Sequence, residues 1–354
     1  MNSEYQIKLL LLADTSTPEA LGSKLVNSAK YFNLNPNVSY NSAASIFSPS
    51  MAALPGKIFY RLADRRSWEW WNYQKQLIKQ IAALKPQLVL VTGIFPLKES
   101  VFKAVDAYGG KIVNWLTDDP WNPIHKRKSF IVNLPYYDHI FSTKVALQQR
   151  LHSVGVSSTT WLPFAYDSTL HYPPLPLDIG DQDLFSSDIT FVGTGAPERL
   201  PWLNAAQSAA DSIGFNKCRI YGASWQQLST PGWQRENIVR GINYCKALFH
   251  ARVVLGLLRA SNHDKSTDRS YEIGAIGACG LMQDTDEHRA LLPNYPDEGF
   301  FLNPQQLAQR CKILLRDDDL CGELRKLGRI SLQSDQHTYK FRMQTILEWW
   351  VSHK

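Results

Sequence analysis

Between Asn262 and Gly280 the chain reads Asn-His-Asp264-Lys265-Ser-Thr-Asp268-Arg269-Ser-Tyr271-Glu272-Ile-Gly-Ala-Ile-Gly277-Ala-Cys-Gly280. Two cations and several acids precede a segment made almost wholly of small residues, which lets a helix come close to a ligand or to a neighbouring strand. Glu272 falls in the first turn of that helix, where a carboxylate is electrostatically favoured and can accept two hydroxyl hydrogen bonds, as from a ribose diol. Lys265 and Arg269 suit a diphosphate. A helix-capping carboxylate with solvated loop charges is the plainer reading of the same residues.

A second stretch, Ile189-Thr-Phe-Val-Gly193-Thr194-Gly195-Ala-Pro197-Glu-Arg199, runs from an apolar strand through a Gly-x-Gly turn into a helix with proline in its first turn. Small residues let backbone N–H groups approach a phosphate, and a helix start adds partial positive charge. The third glycine and the downstream acid of a dinucleotide fingerprint are missing, so NAD binding is not supported. A tight turn after a strand also explains it.

The third is Trp115-Leu-Thr-Asp118-Asp119-Pro120-Trp121, with Asp118 and Asp119 at the carboxyl end of an expected strand. Open α/β sheets bind ligands there. A carboxylate so placed serves as general base on an acceptor hydroxyl or positions a sugar; an Asx-turn before Pro120 is the alternative. His125 and Asp14 are reserve candidates. The triplet Asp317-Asp318-Asp319 resembles a metal motif but is explained by helix capping.

These residues need strands to carry them. Ile7–Ala13, Gln87–Val91, Lys111–Leu116 and His139–Ser142 read as buried strands, with helices over Pro18–Phe32, Trp68–Leu84, Lys98–Ala107 and Val145–His152. After a proline-bearing break, strands at Asp188–Val192, Cys218–Tyr221, Val253–Leu258 and Gly280–Gln283 alternate with helices near Pro197–Ile213, Ile242–Phe249, Ser270–Ile276, Pro304–Arg316 and Leu320–Gln333. An amphipathic helix over about Tyr339–Val351 closes the sequence. This alternation predicts parallel sheets covered on both faces. At 354 residues the chain exceeds one ordinary core, so two domains are expected. Their bounds are 1–168, with a helix over 338–354 packing on it, and 188–337, joined by a linker at 169–187.

The formal charge of +6 is uneven: residues 1–170 hold 18 Lys/Arg against 11 Asp/Glu, and the remainder is nearly neutral. Lys57, Arg61, Arg65 and Arg66 stand at near-helical spacing ahead of Trp68, Trp70 and Trp71. That stripe suits an anionic membrane surface, where a lipid-linked acceptor would reside; tryptophans buried under a solvated basic face are the alternative. No nucleic-acid-binding pattern is present. Five cysteines without C-x-x-C spacing, no membrane-length apolar run and no basic leader lead to the expectation of a cytoplasmic protein, with peripheral membrane contact as an option.

The block Arg269-Ser-Tyr271-Glu272-Ile-Gly-Ala-Ile-Gly277 resembles the R-x-[FY]-E-x-x-A-x-G signature of GT-B glycosyltransferases, nearest to the bacterial family-1-like group of CgeB or spore-maturation type. Phe191-Val-Gly193-Thr194, Tyr221-Gly222-Ala-Ser-Trp225, Tyr244–Phe249 and His337-Thr-Tyr-Lys-Phe-Arg342 match in order across roughly 185–350, and Asp118-Asp119-Pro120 resembles the D-D-P of the same group. The resemblance implies an α/β GT-B architecture: two Rossmann-like domains facing across a cleft, with the C-terminal helix crossing back to the first. It implies a glycosyltransferase that takes a nucleotide sugar as donor and transfers to an unknown acceptor, with no cofactor. Glu272 takes the place of the ribose acid. Asp264, eight residues earlier, stands where a glutamate is usual. Gly193, Thr194, Gly195, Arg199, Tyr221, Gly222, Lys265, Arg269 and Tyr271 line the donor side. Arginine, lysine and helix dipole would replace a metal at the diphosphate. The usual glycine-rich loop after the first strand is replaced by Asp14-Thr-Ser16-Thr17-Pro. A catalytically silent sugar-binding or scaffold protein is the rival reading, and a nucleotide-sugar epimerase on the same fold lacks a convincing acid set.

Overall fold

The computed structural model describes residues 5–40 and 53–354. The chain divides into two compact units. One comprises the chain up to Pro163 together with Ser261–His263 and Tyr339–Lys354, the other Phe164–Ala260 and Asp264–Thr338.

In the first unit, β1 (Leu9–Ala13), β2 (Asn37–Tyr40), β3 (Leu88–Thr92), β4 (Lys111–Leu116), β5 (His139–Ser142) and β6 (Thr159–Trp161) form one sheet in the order β2-β1-β3-β4-β5-β6, with every pairing parallel. All five residues of β1 and of β3 are buried, because helices cover both faces and no strand position needs to face water. The helix Leu21–Lys30 lies directly against the end of β1: Gly22 N–H donates to the Asp14 carbonyl at 2.9 Å. The glycine missing from the first loop is therefore found in the helix, where a Cβ would collide with that same carbonyl and with the Ala13 methyl. The C-terminal helix, Tyr339–His353, belongs to this unit and packs on Leu21–Lys30, with Lys24 Nζ 4.9 Å from the Tyr339 ring centre. Arg342 Nε donates to the Pro163 carbonyl at 2.7 Å and Trp350 Nε1 to that of Gln87 at 3.2 Å.

In the second unit, β7 (Ser187–Val192), β8 (Cys218–Tyr221), β9 (Trp233–Glu236), β10 (Ala251–Gly256), β11 (Gly280–Gln283) and β12 (Phe300–Phe301) build another all-parallel sheet, in the order β12-β11-β10-β7-β8-β9. Helices Leu200–Asp211, Gly241–Phe249, Asp268–Ile276, Pro304–Leu314 and Asp318–Leu332 surround it. Arg325 joins two elements by donating 2.6 Å hydrogen bonds to the Phe249 and Ala251 carbonyls, at the turn from helix into β10. Each unit thus has a Rossmann-like sheet and its own apolar core.

Two expectations change. Residues 169–187, read as a linker, lie in the second unit and hold a helix, Ile179–Phe185; Asp178 caps it by accepting from Asp181 N–H at 2.8 Å, and Phe185 anchors it in the core. The helix read over Val145–His152 opens instead as a 3₁₀ turn, Val145–Leu147, before Gln148–Ser153.

Gly22→Val should destabilise the first unit by about 1–3 kcal/mol through overpacking against backbone that cannot yield. Gly322, exposed on the Asp318–Leu332 helix with open space around its missing Cβ, is the control. Gly322→Ala should leave the urea midpoint unchanged or raise it, and equal effects of the two substitutions would contradict the packing assigned to Gly22.

Candidate functional site

The site builds from the carboxyl ends of β7 and β10 and the helix that follows β10. Val192 ends β7, and Gly193-Thr194-Gly195 carries the chain towards Pro197–Arg199 and the helix Leu200–Asp211. The two glycine N–H groups are already used: Gly193 donates to the Tyr221 carbonyl at 2.9 Å and Gly195 to that of Ala223 at 2.7 Å. Gly193 in turn accepts from Trp225 Nε1 at 2.9 Å, and a Cβ on Gly222, which sits at φ 146°, would collide with the Gly193 carbonyl oxygen. The Gly-x-Gly turn therefore serves a close crossing of two loops, and the positive charge at this corner comes from side chains.

Arg199 provides the first charge. It is buried, lies 5.0 Å over the Phe191 ring and donates through one terminal nitrogen to the Thr194 carbonyl. Among the described residues its Nε has no hydrogen-bond partner. Burial depresses its pKa to about 10, and the nearby charges of Arg259 and Arg269 push the same way, against Glu198 and Asp264. Arg259 follows β10 directly, and its buried Nε is likewise unpartnered. Three guanidiniums and the half-exposed Asp264 thus share one electrostatic neighbourhood. A buried cation needs acceptors, and the Thr194 carbonyl is the one Arg199 finds here.

Arg269 and Glu272 stand on the helix Asp268–Ile276, whose start is fixed by a capping box between Thr267 and Ser270. Glu272 is buried, and three side chains hold its carboxylate. Tyr244 hydroxyl donates to Oε2 at 2.6 Å, Arg269 donates to the same oxygen at 2.9 Å, and His171 Nε2 lies 3.3 Å from Oε1. Asp167 N–H donates to His171 Nδ1 at 3.1 Å, which leaves the imidazole proton on Nε2, facing the carboxylate. Arg269 also lies 4.6 Å over the Tyr244 ring. Burial lowers its pKa and Glu272 acts in the opposite sense. Behind the capping box, Ser270 hydroxyl meets His288 Nε2 at 2.7 Å, and His288 Nδ1 lies 2.6 Å from the Gln283 carbonyl.

The other expected donor residues separate. Lys265 Nζ reaches outward to Asp286 at 2.6 Å. Tyr221 is buried and donates to the Leu184 carbonyl at 2.9 Å; Tyr271 is also buried, with its ring 6.1 Å from that of His337. Those two tyrosines are core residues of the second unit.

In the first unit, Asp119 is buried and makes the Asx-turn: its Oδ1 accepts from Trp121 N–H at 2.8 Å and its Oδ2 lies 3.0 Å from His263 Nδ1. Asp119 N–H donates to Asn262 Oδ1 at 3.0 Å, and Asn262 Nδ2 donates to Asp118 Oδ1 at 3.1 Å. The two aspartates therefore hold the Asn262–His263 segment, where His263 adopts a left-handed φ of 54°. Asp14 accepts from Ser16 N–H, and Asp317 caps its helix through Leu320 N–H. Among the described residues no group of three or more His, Cys, Asp or Glu is placed to hold a metal ion.

Residues 199–348 match the model of a glycosyl transferase-like family. No curated protein matches the chain significantly. The fold is similar to that of sucrose-phosphate synthase from Thermosynechococcus elongatus (TM-score 0.67, 11% identity, 98% of this chain and 99% of that one). It is also similar to the T4 phage β-glucosyltransferase in complex with its UDP-glucose substrate (0.56, 13%, 98% and 99%). A third similar chain is described as a UDP-N-acetylglucosamine 2-epimerase from Listeria monocytogenes (0.57, 14%, 99% and 97%). The protein therefore has the GT-B fold, and its residues 199–348 are similar to a glycosyl transferase-like family.

Burial lowers the pKa of His288 to about 4, with the Gln283 carbonyl and Asp284 opposing. Below the ordinary value near 6.5 the unfolded chain takes up a proton that the folded unit refuses. Stability is thus complete above about pH 6.5 and falls towards pH 4, by at most about 1.4 kcal/mol per pH unit. His288→Gln should flatten the slope of denaturation midpoint against pH between those values; an unchanged slope would remove His288 as its source.

Proposed function

We propose that the protein transfers a sugar from a nucleoside-diphosphate sugar to an acceptor hydroxyl. The observation that carries this reading is the buried Arg199 and the partly buried Arg259, each with a buried Nε that has no hydrogen-bond partner among the described residues, next to Arg269. In this reading they take the diphosphate, whose departing charge they stabilise without a metal. Glu272 takes the ribose hydroxyls in exchange for the donors that Tyr244, Arg269 and His171 supply. Asp264 faces the sugar, beside the arginines. Asp118 and Asp119 belong to the acceptor side, where their part is to shape the Asn262–His263 loop, since both are engaged there. The glycosyl transferase-like match favours transfer over epimerisation, which the fold alone does not distinguish. The spore-maturation type and a hexose as the transferred sugar are the finer form of the proposal, resting on the Arg269–Gly277 signature.

Thermal unfolding with UDP, GDP, dTDP and CMP tests it. One nucleoside diphosphate should stabilise selectively, by about 2.7 kcal/mol at one hundred times its Kd. Glu272→Ala should abolish the shift, and a panel with no response would overturn the proposal. Arg259→Gln should weaken the chosen diphosphate about tenfold or more while leaving the bare nucleoside unaffected, as loss of a charge-assisted contact requires. Equal weakening of both ligands would take Arg259 out of the diphosphate site.

A further inference from the structure

The basic-tryptophan stretch separates into two populations. Trp70 is buried and donates to the Pro96 carbonyl at 2.7 Å, with the Arg66 guanidinium 4.7 Å over its ring and 5.2 Å from that of Trp71. Arg65 turns towards the loop at 123–124, donating to the Pro123 carbonyl at 2.9 Å and to that of Ile124. Lys57 and Arg61 remain exposed, on the helix Leu54–Leu62.

That helix has an unusual outer face. Leu54, Ile58 and Leu62, spaced four apart and so in one row, are 70%, 52% and 83% exposed. Lys57 and Arg61 form the adjacent row, Gly56 and Tyr60 are buried on the opposite side, and the helix contains no acidic residue. Phe59 ties it to the half-exposed Trp68 with ring centres 5.0 Å apart, and Arg65 brings Ile124, itself 62% exposed, to its C-terminal end. The nearest carboxylate, Asp64, is occupied by the Lys128 and Ser129 N–H groups and by the Ser129 hydroxyl. A cleft of about 390 Å³ beside it is lined by Arg66, Lys98 and Lys128 together with Asp64 and Glu99.

Aliphatic side chains this exposed in one row, flanked by cations, lose free energy in water and regain it where an apolar interior lies just beneath an anionic layer. Nucleic acid supplies the anions without the apolar layer. No helix among the described residues is long and apolar enough to cross a membrane, so the face suits a surface rather than a span. We propose that the Leu54–Leu62 helix docks on an anionic lipid bilayer, with Leu54, Ile58 and Leu62 entering the headgroup boundary and Lys57 and Arg61 meeting lipid phosphates. The proposal stands apart from the transferase reading, since it concerns a different surface.

Co-sedimentation of the full chain with vesicles of phosphatidylcholine alone, and of phosphatidylcholine mixed with phosphatidylglycerol, tests it. The protein should sediment with the mixed vesicles only, and less so as salt rises. Each cation near the surface is worth about fivefold in partitioning, so Lys57→Glu with Arg61→Glu should lose at least tenfold, roughly. Ile58→Ser with Leu62→Ser should lose binding as well. Both pairs should keep the wild-type thermal midpoint and nucleotide response. Failure to bind the mixed vesicles, equal binding to neutral vesicles, or variants that bind as wild type would each overturn the proposal. So would a solution dimer that the Ile58/Leu62 pair dissociates without any vesicle binding, because the face would then belong to a second copy.

Discussion

A guanidinium taken out of water costs several kcal/mol unless acceptors surround it, and the second unit gathers Arg199, Arg259 and Arg269 within reach of one another's charge. The surroundings are organised around that cost. Phe191 and Tyr244 offer their ring faces to Arg199 and Arg269, the Thr194 carbonyl accepts from Arg199, and Glu272 neutralises Arg269. Two of the three still keep a buried Nε without a partner. In the proposed reading, those nitrogens are the ones a diphosphate would meet.

The scaffold makes such an arrangement rigid. Parallel strands deliver their carboxyl ends to one edge. Gly193, Gly195 and Gly222 let two loops cross at backbone contact, which fixes the Thr194 carbonyl that receives Arg199. The capping box at Thr267, backed by Ser270 and the neutral His288, sets the start of the helix that presents Arg269 and Glu272. His171 and Tyr244 then orient the carboxylate from two further elements.

How far this was legible from sequence depends on what each residue does. Central strands were readable because burial on both faces favours mostly apolar segments: Lys111–Leu116, His139–Ser142, Cys218–Tyr221 and Gly280–Gln283 stand where the pattern places them. The edge strands Asn37–Tyr40, Thr159–Trp161, Trp233–Glu236 and Phe300–Phe301 were not, since a strand with one free side carries polar or very short sequence. At the candidate site, the pairing of Arg269 with Glu272 follows from their spacing of three residues on one helix. Arg259 had a weaker signal, its place just past a strand end, which passed unnoticed. His171 had none, because its partner lies about a hundred residues away and only the fold brings them together. Lys265 is suitable in type, and the fold pairs its ammonium with Asp286.

The most direct measurement is calorimetric titration of the protein with a nucleoside diphosphate and with the corresponding monophosphate, for wild type and Arg199→Gln. An anion site built from shared guanidiniums gives the diphosphate an advantage of about tenfold or more, which the substitution removes. Equal affinity for the two nucleotides, or an advantage that survives the loss of Arg199, would contradict a diphosphate seat at these arginines.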